Sequence, residues 1–370
     1  MKAAALPIQR PADARLLTVD ATGAITHRSR RDFVTLVHRG DLVVANDAAT
    51  LPASLSGVHV PTGEIVELRL AGRASLRPDD VGRFTAVAFG AGDFRMPTED
   101  RPPPPRLQPG DRLRLGQLEA IVERVLGHSR LIDVRFTNAV GDIWEGLARH
   151  GRPIQYAYIR ERLAIWDTWT AIAHQPVAFE PPSAGFVLDW AMVAALRARG
   201  ATFATITHAA GISSTGDPDL DAVLPLDEPY EIPASAARQI HATRRSGGRV
   251  IAIGTTVVRA LEHAADADGT VRIGPGLATH RLGPLTTLRV VDALLSGTHA
   301  PGTSHYELLR AFQSDEVLRR IDDAAEAHGY RMHEFGDSVF VERAERSHDT
   351  FGDTHCQDGR CGPSINPGRC

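Results

Sequence analysis

The sequence predicts an α/β protein: an α/β domain with a mixed or parallel sheet, carrying an inserted small β-barrel. Two observations predict it. From about Ala53 to Phe136 the apolar residues recur with a period near two, in short runs separated by Gly and Pro. After Gly151 strands and helices alternate, the pattern of an α/β layer. A third observation makes a packed core possible. The 370 residues are 43% hydrophobic with a net charge of only −4, which excludes a disordered chain.

The elements follow in order. Ser29 and Asp32 form an N-terminal capping box before FVTLVHRG, and Gly40 ends that helix. LVVAN, residues 42–46, is a short strand. EIVELRL, RFTAVAF, DRLRL, EAIVERV and LIDVRF are the strands of the β unit, with Pro102 to Pro105 as a polyproline-like loop among them. DWAMVAALRARG is an amphipathic helix closed by Gly200, and TFATITH is a strand. PASAARQIHATRRSGG, RVIAIG and TTVVRALEHAADADG then read helix, strand, helix. ELLRAF and VLRRIDDAAEAHG are helices, and SVFVER is the last strand. The expected domains are 1–55 with 150–343 for the α/β part, 56–149 for the barrel, and 344–370 as a flexible tail.

Composition narrows the function classes. No apolar run reaches the roughly 20 residues that span a bilayer, and MKAAALPIQR lacks a secretory h-region, so a cytoplasmic protein is expected. Cys356, Cys361 and Cys370 all lie in the tail, so the body has no disulfide framework. Metal-site spacing is usually tighter than this Cys-x4-Cys pair and no second pair follows, so a solvated tail is the simpler reading. A mild acidic balance argues against a large generic nucleic-acid patch, although not against a local basic groove. P-loop, G-x-G-x-x-G, H-E-x-x-H and G-x-S-x-G motifs are absent.

Four segments could carry chemistry. In RVIAIGTTVVRALE the strand meets Gly254, then Thr255 and Thr256 open a helix whose first amides are unpaired, a seat for a carboxylate or phosphate. Arg259 lies within pairing reach of Glu262. A plain βα turn with a surface ion pair would give the same pattern. In SGTHAPGTSHYELLRAF, Ser304 and Glu307 form a capping box, and His299 stands on the preceding loop. EPPSAGFVLDW again places small residues before a helix, and VVANDAATLPASL puts Asn46 and Asp47 at a strand end. A proline turn and an Asn-Asp turn explain these two equally well.

In this order the segments resemble the S-adenosylmethionine:tRNA ribosyltransferase-isomerase family of queuosine biosynthesis. GDLVVANDAATLPASL, TGEIVELRL, PPSAG, YEIP, GGRVIAIGTTVVRALE, THAPGTS, RAF and FGDSVFV follow in family order from about Leu6 to Arg343. The resemblance implies a two-domain enzyme that transfers and isomerises the ribosyl group of S-adenosylmethionine. The acceptor is 7-aminomethyl-7-deazaguanine in tRNA, and the product is epoxyqueuosine, with adenine and methionine released. It implies tRNA and S-adenosylmethionine as partners, no cofactor beyond that co-substrate, no metal and no membrane; a monomer is expected.

By the same resemblance Asp47, His208, Glu228, His299 and Asp337 are the catalytic candidates. Asn46, Ser183, Ala184, Gly185, Gly254, Thr255, Thr256, Arg259, Glu262, Pro301, Thr303 and Ser304 are the substrate-binding ones. Thr255, Thr256 and Arg259 would hold an anionic part such as the methionine carboxylate or a phosphate. Of the 16 histidines only His208 and His299 fall on site positions.

The sequence departs from the family pattern. Ala49 and Ser54 stand where the family has arginines, and Val187, Val223 and Leu226 where it has histidines. Losing arginines weakens phosphate contacts, and losing histidines removes proton-transfer groups. Two alternatives therefore stand beside the family reaction: a divergent paralogue acting on a small adenosyl or nucleoside substrate, and a non-catalytic binding protein.

Overall fold

The computed structural model of the chain describes residues 1–344. The tail cysteines Cys356, Cys361 and Cys370 lie outside them. Six antiparallel strands between Ser54 and Phe136 close into a barrel. Around the barrel they run Leu118–Val125, Leu131–Phe136, Arg83–Phe89, Ile65–Gly72, Ser54–His59 and Arg112–Leu115. Alternate side chains such as Leu68, Leu70, Phe84, Ala86 and Leu113 fill its interior, as the period of two requires.

The second body is a nine-stranded mixed sheet. Its order is Gly274–Ala278, Glu228–Ile232, Thr202–His208, Leu42–Asn46, Val250–Ile253, Ala293–Gly297, Ser338–Glu342, Arg15–Val19 and Ile25–Ser29. The four strands from Thr202–His208 to Ala293–Gly297 are mutually parallel. Antiparallel partners join at both edges, so the sheet is mixed rather than wholly parallel. The sheet draws strands from both sides of the barrel in sequence. Its central strands are buried on both faces. Leu42 and Val44 pack with Val250 and Ala252 on one side, while Val43 and Ala45 pack with Ile251 and Ile253 on the other.

Local signals are largely realised. Ser29 and Asp32 make the capping box, although the turn they start is 3₁₀ over Arg30–Asp32 before the short helix Phe33–Leu36. An antiparallel hairpin, Arg15–Val19 with Ile25–Ser29, precedes that turn. Helix Trp190–Ala198 is capped by Asp189 and followed by Gly200 at φ +83°. The helix after His299 is capped by Thr303, whose side chain accepts from the Tyr306 amide, and not by Ser304 as the capping-box reading expected. Ser304 is thereby released to face the cavity described next.

Candidate active site

The loops that leave the carboxyl ends of three of the parallel strands, after His208, Ile253 and Gly297, meet around a cavity of about 260 Å³. This is where open α/β sheets gather their functional groups. Gly254, at φ +97°, makes the turn into helix Thr255–Ala264. Its conformation is one that L side chains rarely adopt, so glycine is required there. The turn aims the start of that helix at the cavity, where the first amides lack intrahelical partners and carry the positive end of the dipole. Ser183 and Ala184 form the facing wall.

Arg259 and Glu228 dominate the floor. Arg259 is buried and donates to the Glu228 carboxylate and to the carbonyl of Ala278 at 3.0 Å. It therefore pairs with Glu228 and not with Glu262, as the helical spacing had suggested. Glu262 turns away and accepts from the amides of Arg289, Val290 and Val291 at 2.7, 3.0 and 2.9 Å, capping that loop. Gly211 donates its amide to Glu228 at 2.6 Å, and a Cβ at Gly211 would stand 3.0 Å from the same carboxylate oxygen. Burial pushes the Glu228 carboxyl up, and Arg259 only partly offsets it.

Histidines crowd the opposite wall. His299 and His305 stack at 4.5 Å, His299 lies 3.2 Å from the Ser296 hydroxyl, and His305 lies 2.8 Å from the Thr255 hydroxyl. Burial, followed by the charge of Arg259, lowers His305 to about 4. Burial, with His305 and His333 nearby, holds His299 well below its ordinary value. Both rings are uncharged at neutral pH.

The expected residues fall into three groups. Glu228, His299, Ser183, Ala184, Gly254, Thr255, Thr256, Arg259 and Ser304 line the cavity. Asn46 and His208 lie beneath it. The Asn46 side chain donates to the His208 carbonyl at 2.9 Å and accepts the His208 amide at 2.9 Å. His208 is fully buried, with its ring 3.4 Å from Glu228, and burial drives it well below its ordinary value. Gly185, Pro301 and Thr303 shape the adjoining turns without lining the cavity.

Asp47, Asp337 and Glu262 do not reach the cavity. Asp47 accepts from the Thr207 hydroxyl at 2.7 Å. Asp337 is buried and tied to the amides of Arg15 and Arg331, each at 2.8 Å, and to the Arg15 guanidinium at 3.0 Å. That binds one edge of the sheet together.

Several cavity residues escaped the sequence reading: Glu180, Gly211, Ser213, His305, His333 and Glu334. Glu180 heads the EPPSAG segment and His305 follows Ser304, so both sat inside segments already singled out. His333 and Glu334 adjoin FGDSVFV but match no motif. The backbone of His333, at φ +72°, is the one non-glycine residue in the left-handed region among the described residues. Such conformations persist only where the surroundings enforce them. Ala49 is buried against the short strand pair Ala48–Thr50 with Gln175–Ala178, and the Ser54 hydroxyl donates to Glu67 at 2.8 Å. Neither position is an open phosphate-binding surface in this chain.

A family model described as queuosine biosynthesis protein matches residues 1–341. An S-adenosylmethionine:tRNA ribosyltransferase-isomerase from Thiobacillus denitrificans is 33% identical over 89% of this chain and 91% of its own length. One from Symbiobacterium thermophilum is 30% identical over 90% and 94%. A solved S-adenosylmethionine tRNA ribosyltransferase from Thermotoga maritima aligns over 92% of this chain and 95% of its own, at 20% identity and a TM-score of 0.47. That structural likeness is too loose to bear on the site. Matched along nearly its whole described length, the chain belongs to the queuosine biosynthesis protein family.

Proposed function

We propose that this protein is an S-adenosylmethionine:tRNA ribosyltransferase-isomerase, moving the ribosyl group of S-adenosylmethionine onto 7-aminomethyl-7-deazaguanine in tRNA to give epoxyqueuosine. The observation that carries this reading is identity of 30–33% to enzymes of that name over about nine-tenths of the chain. It favours a transferase/isomerase over a small-molecule paralogue or a non-catalytic binding protein.

The cavity is chemically suited to the reaction. A sulfonium brings its own positive charge, so it is stabilised by carboxylates and dipoles. Glu180 and Glu228 supply carboxyl groups to the wall. The start of helix Thr255–Ala264 offers amides to a carboxylate such as that of methionine. Arg259 has a smaller part than an anion receptor would, because Glu228 already neutralises it. Its role in our reading is to hold Glu228 in place. Neutral His299 and His305 can donate or accept hydrogen bonds at the leaving group.

The reaction needs no cofactor in this reading, with S-adenosylmethionine as co-substrate and tRNA as partner, in a cytoplasmic monomer. Among the described residues no helix is long and apolar enough to cross a membrane. The test is incubation with S-adenosylmethionine and tRNA carrying the deazaguanine, reading released adenine. Adenine well above the no-enzyme control is expected. None above that control would overturn the proposal.

A further inference from the structure

The cavity wall holds five carboxylates among the described residues; two are matched by a cation, and two without one are only half-buried. Glu228 is matched by Arg259. Asp221 accepts from the Ser214 hydroxyl at 2.9 Å and from the Thr215 amide and hydroxyl at 2.6 and 2.7 Å, holding its own loop. Glu307 reaches out to Arg310 at 2.7 Å. Glu334 is half-buried and accepts from the Tyr158 hydroxyl.

The fifth is Glu180. It is buried, and among the described residues no cation lies within ion-pair distance of it. One oxygen accepts from the Tyr156 hydroxyl and the other from the Ser213 amide at 3.0 Å. Tyr156 is itself fixed. Its hydroxyl lies 3.0 Å from the Ser214 carbonyl, and its ring stacks on Tyr158, with centroids 5.9 Å apart and planes inclined by 10°. Tyr158 stacks in turn on His333, the residue with left-handed backbone, at 4.4 Å. A buried carboxylate without a cation is costly to keep, and folded proteins retain such groups where a proton must move.

We propose that Glu180 is the proton-accepting catalytic residue of this cavity, taking the proton from the ribosyl carbon bonded to the sulfonium, with Tyr156 as its positioning residue. This rests on the reaction proposed above. The C–H bond breaks, its electron pair remains on carbon beside the positive sulfur, and Glu180 becomes the carboxylic acid. That pair forms a double bond to the neighbouring ring carbon as that carbon's bond to the ring oxygen breaks. The oxygen's pair closes a carbonyl at the anomeric carbon, and the bond to adenine breaks with its pair going to the adenine nitrogen, which takes the proton from Glu180 and returns it to the carboxylate.

Geometry and basicity agree. Burial, followed by the neighbouring charge of Glu334, pushes the Glu180 carboxyl up to about 7, whereas His305 at about 4 is a weak base. A general base works best with a pKa near the working pH. The Tyr156 and Ser213 hydrogen bonds oppose the rise.

The test compares wild type, Glu180→Gln and Tyr156→Phe, using S-adenosylmethionine and deazaguanine-bearing tRNA. Single-turnover adenine release is followed from pH 5.5 to 9, and S-adenosylmethionine affinity is measured by calorimetry. Wild-type release should rise with pH through about 7. Glu180→Gln should lose about a hundredfold or more in rate, and with it that rise, while affinity changes less than about threefold. Tyr156→Phe removes a hydrogen bond that favours the carboxylate, so its rise should move to higher pH, an effect that simple loss of packing would not produce. Wild-type turnover with an unchanged pH profile in either variant would overturn the role of Glu180 alone. No adenine from wild type would overturn the reaction and this role together.

Discussion

Glu67 in the barrel and Glu180 at the cavity are both buried glutamates with relative exposures of 5% and 7%, yet their surroundings treat them oppositely. Glu67 receives Arg69 at 3.0 Å and Arg101 at 2.5 Å. The Phe89 ring lies under both guanidinium groups, at 4.8 and 5.2 Å. Burial pushes Glu67 up, but the two arginines outweigh it and hold the carboxyl below its ordinary value. Among the described residues Glu180 has no cation, accepts from the Tyr156 phenol and the Ser213 amide, and rises to about 7. Glu228, with a single arginine, is raised by burial that this one charge only partly offsets. Degree of compensation separates a charge that cross-links a fold from one left free to exchange a proton.

Breaking the barrel network is the strongest test of that contrast. Glu67→Gln strands two buried guanidinium groups and should cost about 3–5 kcal/mol in denaturant unfolding. A loss under about 1 kcal/mol would mean the network does little for the fold.

The pH dependence of stability sharpens the same contrast. Glu180 has a raised folded value, so its favourable contribution is complete below its unfolded value of about 4.5 and is lost as pH rises through about 7. Glu180→Gln should therefore unfold like wild type near pH 4.5 and be the more stable protein at pH 8, by on the order of 3 kcal/mol. Glu67, with a lowered folded value, contributes stability above its unfolded value and loses it only as pH falls through the folded one. The two glutamates should thus give opposite slopes, and equal slopes would collapse the distinction.

Glu228→Gln should be milder than the barrel change. It leaves Arg259 with the Ala278 carbonyl beside an open cavity, so a loss of about 1–3 kcal/mol is expected by thermal unfolding. A loss matching Glu67→Gln would put the two pairs in one class. The smallest effect separates two neighbours. Thr303→Ala removes a helix cap and should cost about 1 kcal/mol. Ser304→Ala should leave stability within about 0.5 kcal/mol while altering adenosyl-ligand affinity. Reversal of those two results in calorimetric melts would restore Ser304 as the cap.

Much of the fold was legible from short-range pattern. The barrel strands follow a period of two, while Ser29 with Asp32, Gly200 and Gly254 mark helix boundaries in the α/β part through local backbone chemistry. Part of the site was legible because Gly254, Thr255 and His299 sit in turns that leave strands. Glu180 was passed over for want of a local sign of burial, and the phenol that holds it, Tyr156, is 24 residues away. Glu262 and Arg259 illustrate the reverse failure. Their spacing permits a pair on one helix, but tertiary packing sends Arg259 to Glu228 and Glu262 to the amides of residues 289–291.

What the sequence alone determined is therefore most of the barrel strands, the strands Leu42–Asn46, Thr202–His208, Val250–Ile253 and Ser338–Glu342 with the main helices, the barrel lying between the strands of an α/β sheet, and the family. These depend on periodicity, capping and motif order, which are properties of neighbours along the chain. Only the tertiary structure decided which of the buried carboxylates carry a compensating charge. The free energy of a buried ion depends on how many opposite charges and donors lie within a few ångströms of it. For Glu67, Glu180 and Glu228 most of those partners come from residues distant in sequence.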